Sequence, residues 1–105
     1  MKNLNAITKY PEVLGVAVSD MSGALLECAG HIDGEMEGAV HAFTARALGE
    51  AGELLGLSAF ERASVTCVKA ACLIAAIDGE VVGVNVDPTK PFGISEKKIL
   101  DVLLR

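Results

Sequence analysis

A chain of 105 residues is long enough for one domain with one hydrophobic core, taken here to span 1–105. Apolar residues make up 51% but aromatics only 4%, so the core must be built from Val, Leu, Ile and Ala, with a surplus to bury between chains. A net charge of −5 argues against nucleic acid and anionic membrane as partners, because both need a basic surface.

Residues 4–10 read as a short helix with Leu4 and Ile7 on one side, stopped by Pro11. Residues 13–19 read as a strand with Leu14, Val16 and Val18 on one face and Val13, Gly15 and Ala17 on the other. Both faces are apolar or small, so both should be covered. Asp20-Met21-Ser22-Gly23 is a turn, and residues 24–29 return as the second strand of a hairpin. Asp33 fits the N-cap of a long helix, with Glu35 and Glu37 at the positive end of its dipole. That helix runs to about Leu55, and Gly56 is its C-terminal cap. Residues 60–69 alternate as a strand, and 71–78 form a wholly apolar one. Asp78-Gly79 is a type I′ hairpin signal leading into a last strand over 80–86. Residues 87–93, with Pro88 and Pro91, form a loop. Ser95 then caps a final helix over 96–105, with Ile94 and Ile99 as a hydrophobic staple.

The long helix carries an unusual pattern. Gly38, Ala42, Ala45, Gly49, Gly52 and Gly56 fall within about 40° of one line on its surface. The opposite line carries Met36, Val40, Phe43, Ala47, Ala51 and Leu54, where a surface helix would normally place charge. Each interior glycine costs about 1 kcal/mol relative to alanine, so close approach of another backbone must offset the loss. The expectation is a helix used on both sides, with the apolar line on its own core and the small stripe on a partner. The alternatives are a helix that frays, or a stripe covered by a loop of the same chain.

Residues that could carry chemistry are sparse. Cys28, Cys67 and Cys72 are odd in number and lack metal-ligand spacing, so buried free thiols are expected. Cys67 and Cys72 should face each other across a tight Lys69-Ala70 turn, as small fillers before a redox pair. His31 and His41 read as ordinary surface or rim histidines; His41 sits about 60° from the small stripe and would be pH-sensitive at a dimer rim. Residues 49–56 are glycine-rich but match neither phosphate-binding fingerprint, and Glu50 and Glu53 belong to a solvated flank. No catalytic residue, cofactor or metal site is expected. No run of 18 apolar residues predicts membrane insertion, and Met1-Lys2-Asn3-Leu4-Asn5 lacks a signal peptide's apolar core, which makes the cytoplasm the default location.

Several of these marks in this order resemble the roadblock/LC7 family, which includes dynein light chains. The carriers are Pro11-Glu12-Val13-Leu14-Gly15-Val16-Ala17-Val18 leading into Asp20-Met21-Ser22-Gly23-Ala24-Leu25-Leu26, the long helix from Asp33, and the Ile77-Asp78-Gly79-Glu80-Val81-Val82 hairpin. The resemblance covers nearly the whole chain. It implies an α+β fold of order α-β-β-α-β-β-β-α, related to the profilin-like folds. A five-stranded antiparallel sheet would carry the long helix on one face and the terminal helices on the other. It also implies dimers in which the strand after the long helix pairs with its mate and the two long helices pack antiparallel. Many such proteins bind or regulate small Ras-like GTPases or scaffold larger assemblies, and they are mostly not enzymes.

In that topology residues 60–69 form an edge strand, and its middle, Ser64-Val65-Thr66-Cys67-Val68, holds no charge and no proline. Self-pairing would remove an aggregation hazard. The expected two-fold interface is therefore Gly38, Ala42, Ala45, Gly49, Gly52 and Gly56 together with Ser64–Val68. A GTPase would contact Arg46, Glu50 and Glu53 on one side of the stripe, and His41 and Leu48 on the other. The resulting expectation is a non-enzymatic homodimeric scaffold or regulator of a small Ras-like GTPase. The alternative is a small-molecule-binding sensor, against which the scarcity of aromatics counts.

Overall fold

The structure, a computed structural model, describes residues 4–68, 70–89 and 92–103, with the backbone alone at 92–96. Its elements in order are α1 (Leu4–Thr8), β1 (Val13–Asp20), β2 (Leu25–Gly30), α2 (Gly34–Leu54), β3 (Arg62–Thr66), β4 (Ala71–Ile77), β5 (Glu80–Val86) and α3 (Phe92–Leu103). The strands form one sheet in the order β2-β1-β5-β4-β3, with every pairing antiparallel. α1 and α3 cover one face and α2 lies across the other, so the fold is α+β as expected.

Local chemistry sets the element ends. Asp20 Oδ1 accepts from the Ser22 hydroxyl (2.6 Å), the Ser22 amide (2.9 Å) and the Ala24 amide (3.0 Å), which closes the β1–β2 turn. These bonds, the Ser22 hydroxyl foremost, hold the Asp20 carboxyl below its ordinary value. Asp33 caps α2 by accepting from the Met36 amide at 3.3 Å. At the other end the Leu57 amide donates to Gly52 O (2.7 Å) and the Gly56 amide to Glu53 O (3.1 Å). With Gly56 at φ 75°, this is a Schellman ending. Asp78 and Gly79 both have positive φ, 51° and 78°, as a type I′ turn requires.

The larger core cluster is aliphatic. Val16, Val18, Leu73, Val82, Val84 and Val86 of the sheet meet Leu4 and Ile7 of α1 and Ile99, Val102 and Leu103 of α3. The smaller cluster, under α2, joins Ala42 and Ala45 to Ile74 and Val81, with Phe60 and Cys72 at its margin.

Five expectations need correction, one of them the burial of the thiols: Cys28 and Cys67 are exposed and Cys72 is half-buried. The most important concerns α2, whose two faces are exchanged. Gly38, Ala42 and Ala45 are buried against this chain's own sheet, while Met36, Val40, Phe43 and Leu54 are exposed, Phe43 at 65% and Leu54 at 89%. A Cβ at Gly38 would touch Ser19, one at Gly49 would touch Phe60, and one at Gly52 would touch the Ser58 carbonyl. The small residues thus let α2 approach its own sheet and its own following loop. The sheet needs this because Ala17, Ser19 and Gly83 offer a shallow surface that a helix lined with large residues could not reach.

In β1 a bulge sets Val13 opposite Val86 and Gly15 opposite Asn85. Val13 therefore joins the α1/α3 core with Val16 and Val18, while Leu14 turns to the α2 side. α3 begins at Phe92, so Ile94 and Ser95 lie inside its first turn, not at a cap; their side chains, and Pro91, Leu104 and Arg105, lie outside the described residues. Last, Thr66 pairs with Ala71 and Val65 with Cys72, and the Cys67 amide donates to Ala70 O at 2.7 Å. Cys67 is thus offset from Cys72, since the turn is closed by Cys67 and Ala70; Lys69 lies outside the described residues.

Gly83, mid-strand in β5, is where helix and sheet come closest. A Cβ there would fall inside the imidazole of His41. Gly83→Ala should cost about 1–3 kcal/mol by overpacking. In urea denaturation the His41→Ala/Gly83→Ala double variant should lose clearly less than the sum of the two single losses.

Candidate functional site

α2 crosses the sheet diagonally. Its first turns lie over Leu25 and Cys28 of β2, its middle over Gly83, Ile74 and Val81, and its last turns over residues 58–60. A single helix cannot cover five strands, so one corner of the sheet stays uncovered beside the N-terminal half of α2. The result is a half-open cavity of about 420 Å³, walled by Leu14, Val40, Thr44, Val65 and Ile74 among others.

One edge of the cavity is β3. Among the described residues this strand pairs with β4 alone and leaves its other side open, and all of its residues but Ala63 are exposed. Ser64, Val65 and Thr66 therefore lie along the outer edge of the sheet, whereas Cys67 and Val68, expected in the same strand, lie in the turn that follows it.

His41 forms part of the cavity wall and is the site's unusual polar group. It is 3% exposed, not a surface residue, and its ring lies on Gly83. Nε2 approaches Glu37 Oε2 at 3.4 Å, one helical turn away. Nδ1 is buried and has no hydrogen-bond partner among the described residues. This arrangement fits the neutral tautomer that carries its proton on Nε2, toward the carboxylate. Burial lowers the His41 pKa below its ordinary value, and Glu37 opposes the shift only in part. Burial also raises the Cys72 thiol, with Glu37 and Cys67 adding to the effect. A thiol held protonated is a poor nucleophile, which suits a packing role.

The other expected contact residues split between two flanks of α2. Arg46, Glu50 and Glu53 line a shallow depression with Met21 and Phe60, on the side away from β3, and Arg46 donates to Met21 O at 2.9 Å. Leu48 lies on the β3 side with Leu55 and Leu57. His41 is removed from the exposed set by its burial. Among the described residues no cluster of His, Cys, Asp and Glu could hold a metal ion, and no helix is long and apolar enough to cross a membrane.

Sequence reasoning missed the cavity. Two signals pointed to it: an isolated glycine inside the apolar strand 80–86, which marks close backbone approach, and a histidine on a helix face beside the small stripe.

The arrangement of sheet and helices is found in known structures. A roadblock/LC7 domain from Streptomyces avermitilis superposes with a TM-score of 0.83 at 10% identity, covering 94% of this chain and 87% of that one. The chain has the roadblock/LC7 fold. MglB from Myxococcus xanthus matches with a TM-score of 0.82 at 22% identity, over 97% of this chain and 89% of its own. An MglB structure with a tetrameric arrangement matches at 0.77 and 15% identity, over 90% and 77%. No protein-family model and no curated protein matches the chain by sequence. At these identities the roadblock/LC7 likeness is one of backbone, and the function must be argued from this chain's own surface.

The lowered His41 pKa makes a signed prediction. The unfolded chain takes up a proton near the ordinary histidine value of 6.5, while the folded chain resists it to lower pH. Stability from this group is therefore full above that value and is lost as pH falls below it. Urea midpoints measured from pH 7.5 to 5.0 should fall more steeply for the native chain than for His41→Gln.

Proposed function

We propose that this protein is a non-enzymatic homodimer that scaffolds or regulates a small Ras-like GTPase. The observation that carries the self-association is the coincidence of two unpaired surfaces on one side of the molecule. One is the uncharged edge of β3. The other is the flank of α2 above it, where Val40, Thr44, Ala47, Leu48, Ala51 and Leu55 recur at helical spacing without a charge. An open edge invites pairing, and a contiguous apolar flank loses free energy in water. A two-fold axis through β3 satisfies both surfaces with one contact, because an antiparallel strand pair sets the two α2 helices antiparallel on the same face. The interface proposed here is thus Ser64–Val68 with this flank, in place of the small stripe.

The GTPase half of the proposal rests on the roadblock/LC7 resemblance, and the surface offers it a place. With the β3-side flanks joined, Met36, Phe43 and Leu54 stay on the outer face of the helix pair. Arg46, Glu50 and Glu53 lie beside them. Exposed apolar anchors rimmed by charge suit a protein partner better than a small molecule. The cytoplasm, where such GTPases act, is the expected compartment.

Two measurements follow. Light scattering should give twice the chain mass at micromolar concentration, and Val40→Asp or Ala51→Asp should weaken the dimer at least about tenfold, because each buries an unpaired carboxylate. Both positions are exposed in the single chain, so circular dichroism should not change. Separately, the source organism's small Ras-like GTPases, purified and loaded with GDP or a non-hydrolysable GTP analogue, should include one that binds in a nucleotide-dependent way. Phe43→Asp and Arg46→Glu should abolish that binding and leave the dimer intact; loss of the dimer instead would remove this outer face from the account.

A further inference from the structure

We infer that the cavity beside the N-terminal half of α2 is a socket for Leu55 and Leu57 of a second copy of this chain. The inference rests on the dimer proposed above and adds what occupies this cavity in it. Register supplies the first argument. Within one chain, Val65 and Cys67 at the end of β3 border the cavity, whereas Arg62 at the start of β3 lies beside Leu55 and Leu57. Antiparallel pairing of β3 with its copy brings the start of one strand next to the end of the other. The last turn of one α2, and the Schellman ending that follows it, is thereby carried to the mouth of the other chain's cavity.

Shape and polarity supply the second argument. Leu55 and Leu57 are 74% and 70% exposed, on a flank facing the same way as the cavity. The cavity in turn presents Leu14, Val40 and Val65 to solvent, with buried Ile74 among its walls, across about 420 Å³, room for two leucine side chains. Knob and socket sit at opposite ends of one helix, which is what a self-complementary two-fold surface needs. The hairpin-like exit at Gly56 is what projects Leu57 off the helix end. Its amide is tied back to Gly52 O, so the knob is pre-formed and loses little entropy on insertion.

Cysteine cross-linking tests the placement directly. In a Cys28→Ser/Cys72→Ala background, native Cys67 remains at the socket mouth. Adding Leu57→Cys should give a covalent dimer on a non-reducing gel after mild oxidation with copper–phenanthroline. Leu54→Cys, more exposed but on the other side of the helix, should give little, as should the background alone. Light scattering on the same samples separates the two claims. A dimer that does not cross-link through Leu57→Cys, or that cross-links equally through Leu54→Cys, overturns the socket and leaves the dimer standing. A monomer at every concentration overturns both. An organic molecule retained in native mass spectra would make the cavity a ligand site and would likewise overturn the socket.

Discussion

Everything in this molecule depends on how closely α2 lies on the sheet. Gly38, Ala42 and Ala45 present almost no side chain, and Ala17, Ser19 and Gly83 answer with almost none. The approach is close enough for the Ser19 hydroxyl to donate to Gly38 O at 3.1 Å, a buried bond from strand to helix backbone. The glycines cost helix propensity, and the contact offsets that cost through dispersion across a dry surface. His41 is the one large side chain among the buried residues of α2, and Gly83 makes its place.

A helix seated on its small face must turn its other apolar residues outward. That single consequence explains the high aliphatic content, the exposed Val40, Phe43 and Leu54, and the cavity left where α2 fails to cover the ends of β1, β5, β4 and β3. The uncovered corner adjoins the free edge of β3, so edge, cavity and helix flank form one continuous surface. A second copy related by a two-fold axis would cover all three, and the outer face of the helix pair would remain for a different protein.

Much of this was legible in the sequence. Asp33 as N-cap, Gly56 as C-terminal cap, Asp78-Gly79 as a type I′ turn and the eight-element order all follow from local chemistry, which acts within a few residues. What failed was tertiary. The stripe of small residues was readable as a close-approach surface, but spacing alone cannot say whose backbone approaches, and this chain's own sheet is the nearer one. Val13 and Leu14 exchanged faces because a bulge adds one residue to the pairing with β5, and nothing in a run of apolar residues marks where that happens. The start of α3 was missed because Ser95 is a good capping residue that the chain places inside the helix instead. His41 and the cavity required knowing which strand passes beneath the helix, although Gly83 was a visible hint.

Hydrogen exchange of the β3 amides across a dilution series tests the central claim most directly. If α2 lies small face down and the β3 edge is closed by a second copy, the amides of Arg62–Thr66 not bonded to β4 should exchange slowly at high concentration. They should become fast on dilution, while those of β1 and β5 stay protected throughout. Equal, fast exchange of these β3 amides at every concentration would contradict the account.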